Sequence, residues 1–252
     1  MLRALSYWLM RYRCNWRGTI VISVANPLLF LIGVGAGIGS LVDRHAPVQI
    51  AGVPYAAFFA PGMLAAAAMQ TAFLESSGPV AFAARQGGYR SATPTPLEPE
   101  QLMGGHLLFV AGRVLTSSTA FILVMALFGD SDGWWALALV PAALLTGLAF
   151  ATPAAAWAVT VRQNRHINTV FRFVILPLYM FSGTFFAISQ LPDWFRPIVY
   201  ASPLWHGIDL CRNLSLGTAT IGRSAVHIAY LLVFFIGGLA LARRTYRQRL
   251  HS

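Results

Sequence analysis

Apolar runs of membrane-spanning length recur along the chain, separated by short stretches in which arginine, proline, glycine or aspartate accumulate. A helix that crosses about 30 Å of hydrocarbon needs roughly 20 mostly apolar residues. Six stretches meet that need: 19–41, 55–75, 106–128, 134–161, 169–188 and 224–242. The segment ahead of them, 1–17, follows a different rule. Leu2, Leu5, Trp8, Leu9 and Tyr12 recur at helical spacing, and Arg3, Arg11 and Arg13 fall elsewhere on the wheel. This predicts an amphipathic helix lying at the membrane interface. The 19–41 stretch is long and lacks a small-residue cleavage site, so it reads as a retained span rather than a signal peptide.

Two regions break the pattern. Residues 76–105 open with a short helical segment, Val80 to Arg85, stop at Gly87-Gly88 and continue through Pro94, Pro96 and Pro99. A short helix between such flanks predicts a stiff knob rather than a flexible linker. Residues 181–209, FSGTFFAISQLPDWFRPIVYASPLWHGID, are apolar but interrupted by prolines and a Ser-Gly pair. Span five is expected to end near Phe186. Leu191, Trp194, Phe195, Ile198 and Val199 then predict one short helix with Pro192 in its first turn. Ser202 and Pro203 predict the cap and first residue of a second, running through Arg212 and stopped by Gly217. Neither is long enough to cross, so both are expected to re-enter the membrane between 189 and 217.

Composition agrees with a membrane protein: 57% of the 252 residues are hydrophobic, 10% are charged, and the mean hydropathy is +0.62. The net charge of +10 is a topology signal. Arginines gather before the first stretch, after the second, between the fourth and fifth and at the end of the chain. The alternate loops hold Arg44, Arg196, Arg212 and Arg223 balanced by aspartates. That bias places both termini in the cytoplasm, with anionic lipid headgroups as the main partners of the arginines. No soluble basic domain is present to bind nucleic acid. Cys14 and Cys211 fall on opposite sides of this topology, which excludes a disulfide between them.

Ionisable residues inside spans are costly and mark candidate functional positions. Arg113 stands about two turns inside the third span and is expected to snorkel or to pair with Glu75 or a backbone carbonyl, with a role in substrate handling or coupling as the alternative. His106, His166 and His206 share no metal-ligand spacing, and no phosphate-cradling glycine loop follows a strand. The glycines at 33, 35, 37 and 39 and the alanines at 65–68 predict close helix packing. Tyr179, Phe181, Phe185 and Phe186 form an aromatic surface that suits either packing or an apolar path.

The run from Phe181 through Phe186, then Leu191-Pro192 with Trp194, then Ser202-Pro203-Leu204-Trp205-His206-Gly207-Ile208-Asp209-Leu210-Cys211-Arg212, resembles a family pattern SGTFFP…LP…LPLxHxIDLxR. The pattern is that of permease subunits of ABC-2-type exporters, and the chain is most similar to their NodJ-like branch. A weaker likeness runs from Arg85-Gln86 through Tyr89, Thr95-Pro96-Leu97 and Gly104-Gly105. Three positions depart from the family: His106 after Gly105 where a glutamate is frequent, an additional Thr93-Pro94, and Ala187 where a proline is common.

The resemblance implies an all-α membrane protein forming one transmembrane domain over residues 1–252, with six spans, an interface helix and two re-entrant helices. It implies a non-enzymatic permease of the bacterial plasma membrane that works as a homo- or heterodimer docked on ABC ATPase subunits. ATP and magnesium would be bound by the ATPase and by no residue of this chain. Phe82, Arg85, Gln86 and Tyr89 would contact the ATPase, with Arg162 and Arg165 as secondary contacts. Tyr179, Phe181, Phe185, Phe186, Trp194 and Trp205 would line the path or its outer gate. The cargo would be lipid-like, glycolipid or drug-like. A secondary ion-coupled transporter is the alternative reading, and a membrane-embedded enzyme the next.

Overall fold

The computed structural model describes residues 2–13, 29, 32–33, 53–85, 99–127, 135–161 and 163–250. Their secondary structure is helical throughout: α1 (Leu2–Arg13), α2 (Tyr55–Arg85), α3 (Pro99–Leu127), α4 (Trp135–Ala158), α5 (Asn164–Val170), a π turn (Phe171–Ile175) and α6 (Leu176–Phe181). A 3-10 turn (Ile188–Gln190), α7 (Arg196–Tyr200), α8 (Pro203–Ser215) and α9 (Ile221–Leu250) complete it. Among the described residues, α2, α3, α4 and α9 are long and apolar enough to cross a membrane. The predicted 19–41 span lies outside the described residues apart from Leu29, Ile32 and Gly33.

Helix α4 is the hub, packed against α2, α3 and α9, while α8 wedges between α2, α4 and α9 and α1 lies on α3. Small residues make this possible. Ala65, Ala66 and Ala72 of α2 and Ala143, Ala151 and Ala155 of α4 have no exposed surface, so the backbones approach closely where lipid supplies little hydrophobic drive. Phe59, Leu64, Met69, Val110, Phe121 and Met125 fill the remaining space. α9 is different: only 22% of its most apolar window is buried, so most of its apolar surface faces outward.

Three sequence boundaries are corrected. α2 does not end at 75 but continues through Ser76-Ser77-Gly78-Pro79 to Arg85. Val80, Ala81 and Ala83 are buried, and that packing outweighs the local preference of Gly78 and Pro79 to break the helix. α3 begins at Pro99, a residue suited to a first turn, rather than at 106. The expected loop 76–105 therefore narrows to 86–98, which lies outside the described residues. The fifth helical run starts earlier and stops sooner than expected, at Phe181 instead of Phe186 or 188. Its π turn precedes Pro177, which has no N–H to give the carbonyl of Phe173.

Candidate functional site

Among the described residues, the chain between α6 and α9 builds a heavily cross-linked polar structure. It begins at Gly183, whose φ of +87° lies in the left-handed region that glycine alone adopts without strain. The Oγ atoms of Ser182 and Ser202 lie 3.3 Å apart across the resulting loop. Arg196 closes the outer end: it donates to the carbonyls of Leu191 (3.0 Å) and Ser189 (2.7 Å) and pairs with Asp193 at 2.6 Å. Its side chain thereby fixes where α7 starts. The expected helix from Pro192 is instead a turn, with Phe195 N–H donating to the Pro192 carbonyl, and the helix opens at Arg196 with Pro197 in its first turn.

α8 follows the sequence expectation closely. The Ser202 hydroxyl accepts a hydrogen bond from Leu204 N–H at 3.2 Å, Pro203 opens the helix, and Gly217 at φ +66° lies just past its end. At five and 13 residues, α7 and α8 both fall short of the roughly 20 that a span requires. α8 lies against α4 at Gly207, where an added Cβ would sit 2.5 Å from the Thr146 side chain.

Arg212 locks this assembly to α2. Its guanidinium donates to the carbonyls of Phe58 (3.1 Å) and Gly183 (2.8 Å) and lies 3.7 Å above the Phe58 ring. The sequence reading counted Arg212 only among the charges of the outer face. Burial lowers its pKa to about 10, with Asp209 opposing that fall, so it stays protonated at neutral pH. A planar fork that reaches two carbonyls at once is a task for arginine rather than lysine.

Also on α8, towards α9, the buried His206 and His227 and the half-buried Asp209 form a chain. His227 Nε2 lies 3.0 Å from Asp209 Oδ2, and its Nδ1 lies 2.9 Å from His206 Nδ1. Asn213 donates to the same carboxylate oxygen at 2.9 Å, and the Tyr230 ring stacks on His206 at 3.8 Å. With Nε2–H of His227 committed to the carboxylate, a neutral His227 has only a lone pair at Nδ1, so His206 supplies the bridging proton. If His227 is an imidazolium, the direction reverses. Burial by itself would raise the Asp209 carboxyl, but the His227 hydrogen bond and the nearby charges of His227 and Arg212 hold it below its ordinary value. Burial and the neighbouring His227 push His206 down. A cavity of about 460 Å³ opens here, lined by Tyr200, Trp205 and Arg223 beside the cluster. Among the described residues no group of three or more His, Cys, Asp or Glu is placed to hold a metal.

The aromatic residues expected to line a path divide into three sets. Tyr179 and Phe185 are packed: their rings meet edge to face at 5.1 Å, Tyr179 donates to Met63 Sδ, and the Phe185 carbonyl accepts from Tyr55. Phe181 and Trp194 are 44% and 73% exposed, and both pack on Phe195; Phe186 is half-buried on the loop between α6 and the 3-10 turn. Trp205 stands apart, edge-on to His206, His227 and Tyr200.

A second charged centre lies along α2. Arg113 donates to Glu75 at 3.0 Å and to the Tyr12 hydroxyl at 2.9 Å, with Tyr12 also beneath its guanidinium. The expected pairing with Glu75 is present, and the third partner ties α1 to it. Trp8 of α1 stacks beside His106 and Phe109, extending the same contact. From Phe58 to Glu75 the helical rise gives about 26 Å, so the two centres are nearly a hydrocarbon thickness apart. At the end of α2, Arg85 donates to Asn164 Oδ1 at 2.6 Å, which brings the exposed Arg165 and Phe82 to one face of the molecule. Gln86, Tyr89 and Arg162 lie outside the described residues.

The sequence reading missed the roles of Arg212, His227, Asp209 and Tyr12. His206 and Asp209 are three apart on one helix face, a signal available in the sequence; their partner His227 comes from another helix.

Comparison with known proteins adds the following. The family model described as ABC-2 type transporter matches residues 5–216. The chain is 32% identical to Nodulation protein J of Sinorhizobium fredii, covering 97% of this chain and 94% of that protein. It is 31% identical to Nodulation protein J of Rhizobium leguminosarum bv. viciae, over 96% and 95% of the two. It is 23% identical to the inner membrane transport permease YadH of Escherichia coli, over 93% and 91%. No solved structure matches.

Proposed function

Because the chain belongs to the ABC-2 type transporter family, we propose that it is the transmembrane permease subunit of an ATP-driven exporter in a bacterial inner membrane. The observation that carries this reading is the family match over residues 5–216, which runs from the interface helix to the end of α8. The name of the E. coli relative, an inner membrane transport permease, supports the location. In this reading residues 1–252 form one membrane domain. The apolar stretch 19–41 and the run 164–181 join the four long helices to make six spans, with both termini cytoplasmic.

The working unit is two permease copies or paralogues on a pair of ABC ATPases, which hold ATP and magnesium. Phe82, Arg85, Arg165 and the connection 86–98, with Gln86 and Tyr89, receive the ATPase stroke, and Arg162 flanks them. α2 transmits it. The helix is continuous from Arg85 to Phe58, about 40 Å by helical rise, and Arg212 fastens its far end to α8 and to the loop at Gly183. A shift of α2 then moves the short-helix pair, which serves as the outer gate. The exposed Phe181 and Trp194, with the half-buried Phe186, offer an aromatic surface for an amphipathic, lipid-like, glycolipid or drug-like cargo.

The test is assembly with an ABC ATPase. The chain is expected to co-purify with one and to support vanadate-sensitive ATP hydrolysis that drives export in proteoliposomes; failure to associate with any ATPase overturns the proposal. The His206–Asp209–His227 chain favours a second reading, an ion-coupled carrier. Transport by the chain alone, driven by a pH gradient without ATPase, would select it.

A further inference from the structure

Away from both charged centres, a groove of about 510 Å³ runs between α3 and α9, within the size range of small-molecule sites. Its walls are apolar: Leu108 and Ala111 of α3, Leu148 of α4, and Phe235 and Leu239 of α9, with Gly104 leaving room between them. Phe235, Leu239 and Arg243 lie four residues apart on one face of α9, so the apolar wall ends on a guanidinium. A second concavity continues from that end, lined by Arg243, Arg244, Arg247 and Glu100. Glu100 is already paired with Arg247. Three arginines against one carboxylate leave two positive charges at the mouth of an apolar slot.

The dimensions suit an acyl chain. From Ala111 to Glu100 on α3 the helical rise gives about 16 Å, half the thickness of the hydrocarbon layer. An acyl chain lying in this groove would extend from the headgroup level to the bilayer midplane. Glu100 precedes Trp8's neighbours His106 and Phe109 on α3, so the cationic mouth lies at the same end as the interface helix α1.

We infer that this groove is a binding site for one anionic phospholipid, with an acyl chain between α3 and α9 and its phosphate on Arg243 and Arg244. This goes beyond a general attraction of surface arginines for headgroups, because the apolar slot and the charge must act together. It requires only that the chain span a membrane and is independent of the exporter reading. The lipid would fix the separation of α3 and α9 where they do not pack directly.

The experiment is native mass spectrometry of the full chain with phosphatidylglycerol, phosphatidylcholine of the same acyl chains, or glycerophosphate. The chain is expected to retain phosphatidylglycerol in preference to phosphatidylcholine. R243Q/R244Q should weaken retention about 30-fold, the effect of two arginines at a membrane surface. L239W, which fills the slot and leaves every charge in place, should weaken it comparably, and glycerophosphate should not compete. Equal retention of the two lipids, competition by glycerophosphate, or unaltered retention in L239W overturns the proposal. Should a variant fail to fold, a photoreactive residue at the exposed position Leu108 of the otherwise unaltered chain decides it. Cross-linking to phosphatidylglycerol in membranes supports the site; cross-linking equally to phosphatidylcholine, or to a protein instead, overturns it.

Discussion

Arg113 carries a charge into the helix bundle and has two partners there, Glu75 and Tyr12. A buried ion pair is a weak net stabiliser, but removing one partner strands the other charge. Glu75→Gln is therefore expected to lower stability by about 3–5 kcal/mol, whereas Glu75→Leu combined with Arg113→Met should recover most of that loss. Denaturation in detergent across the double-mutant cycle measures it, and an equal loss in single and double variants would count against the pairing. His206 gives a pH prediction of definite sign. Its folded-state value is depressed below 6.5 by burial and by His227, so the unfolded chain binds the proton more readily. Its contribution is complete above that value and is lost as pH falls below it. Asp209, also depressed, loses its contribution only at lower pH, through and below the ordinary carboxylate range. The groups facing His206 include His227 and Tyr230 of α9 and Asp209 and Trp205 of α8. Thermal stability should fall between pH 7.5 and about 5.5, and His206→Asn should flatten that part of the profile.

The short helices show what a sequence can carry at the level of an element. α8 was legible because each of its signals acts within a few residues: a serine that caps, a proline that opens and a glycine that adopts positive φ past the end. Ser202→Ala should therefore cost about 1 kcal/mol, measured by thermal unfolding, and Ser202→Asp should retain the cap. α7 was misplaced because its start is set by Arg196 reaching back to two carbonyls, a contact that no periodicity reveals. α2 ran on past Pro79 for the same kind of reason: burial of Val80 and Ala81 is a property of the bundle, not of the segment. The aromatic surface was legible as residues but not as roles. Phe181→Ala should reduce export with a smaller loss of stability, since that residue is 44% exposed. Phe185→Ala should lower stability itself, because its ring fills a gap between Phe59 and Tyr179. Comparing transport and unfolding for the two variants separates path from packing.

Across the whole molecule, the proposed function requires that α2 shift as a rigid rod and carry α8 with it. Within the wider packing of α8 on α4, the Gly207–Thr146 contact has no side chain on one side. Polar anchors hold α8 to α2 through Arg212 and to α9 through the His206–His227 contact. In the proposed function α8, tied to α2 and α9, shifts against α4 at this contact. A Cβ built on Gly207 would lie 3.1 Å from the Thr146 Cβ. Disulfides span about 3.5–4.5 Å between Cβ atoms, so a small outward shift would admit one. With the native cysteines replaced by Cys14→Ser and Cys211→Ala, the pair Thr146→Cys and Gly207→Cys should form a disulfide on oxidation. The oxidised complex should still bind ATP but lose export, and a reductant should restore it. Undiminished export by fully cross-linked protein would mean that α8 does not slide on α4 during transport, and the outer gate would then have to be sought elsewhere in the fold.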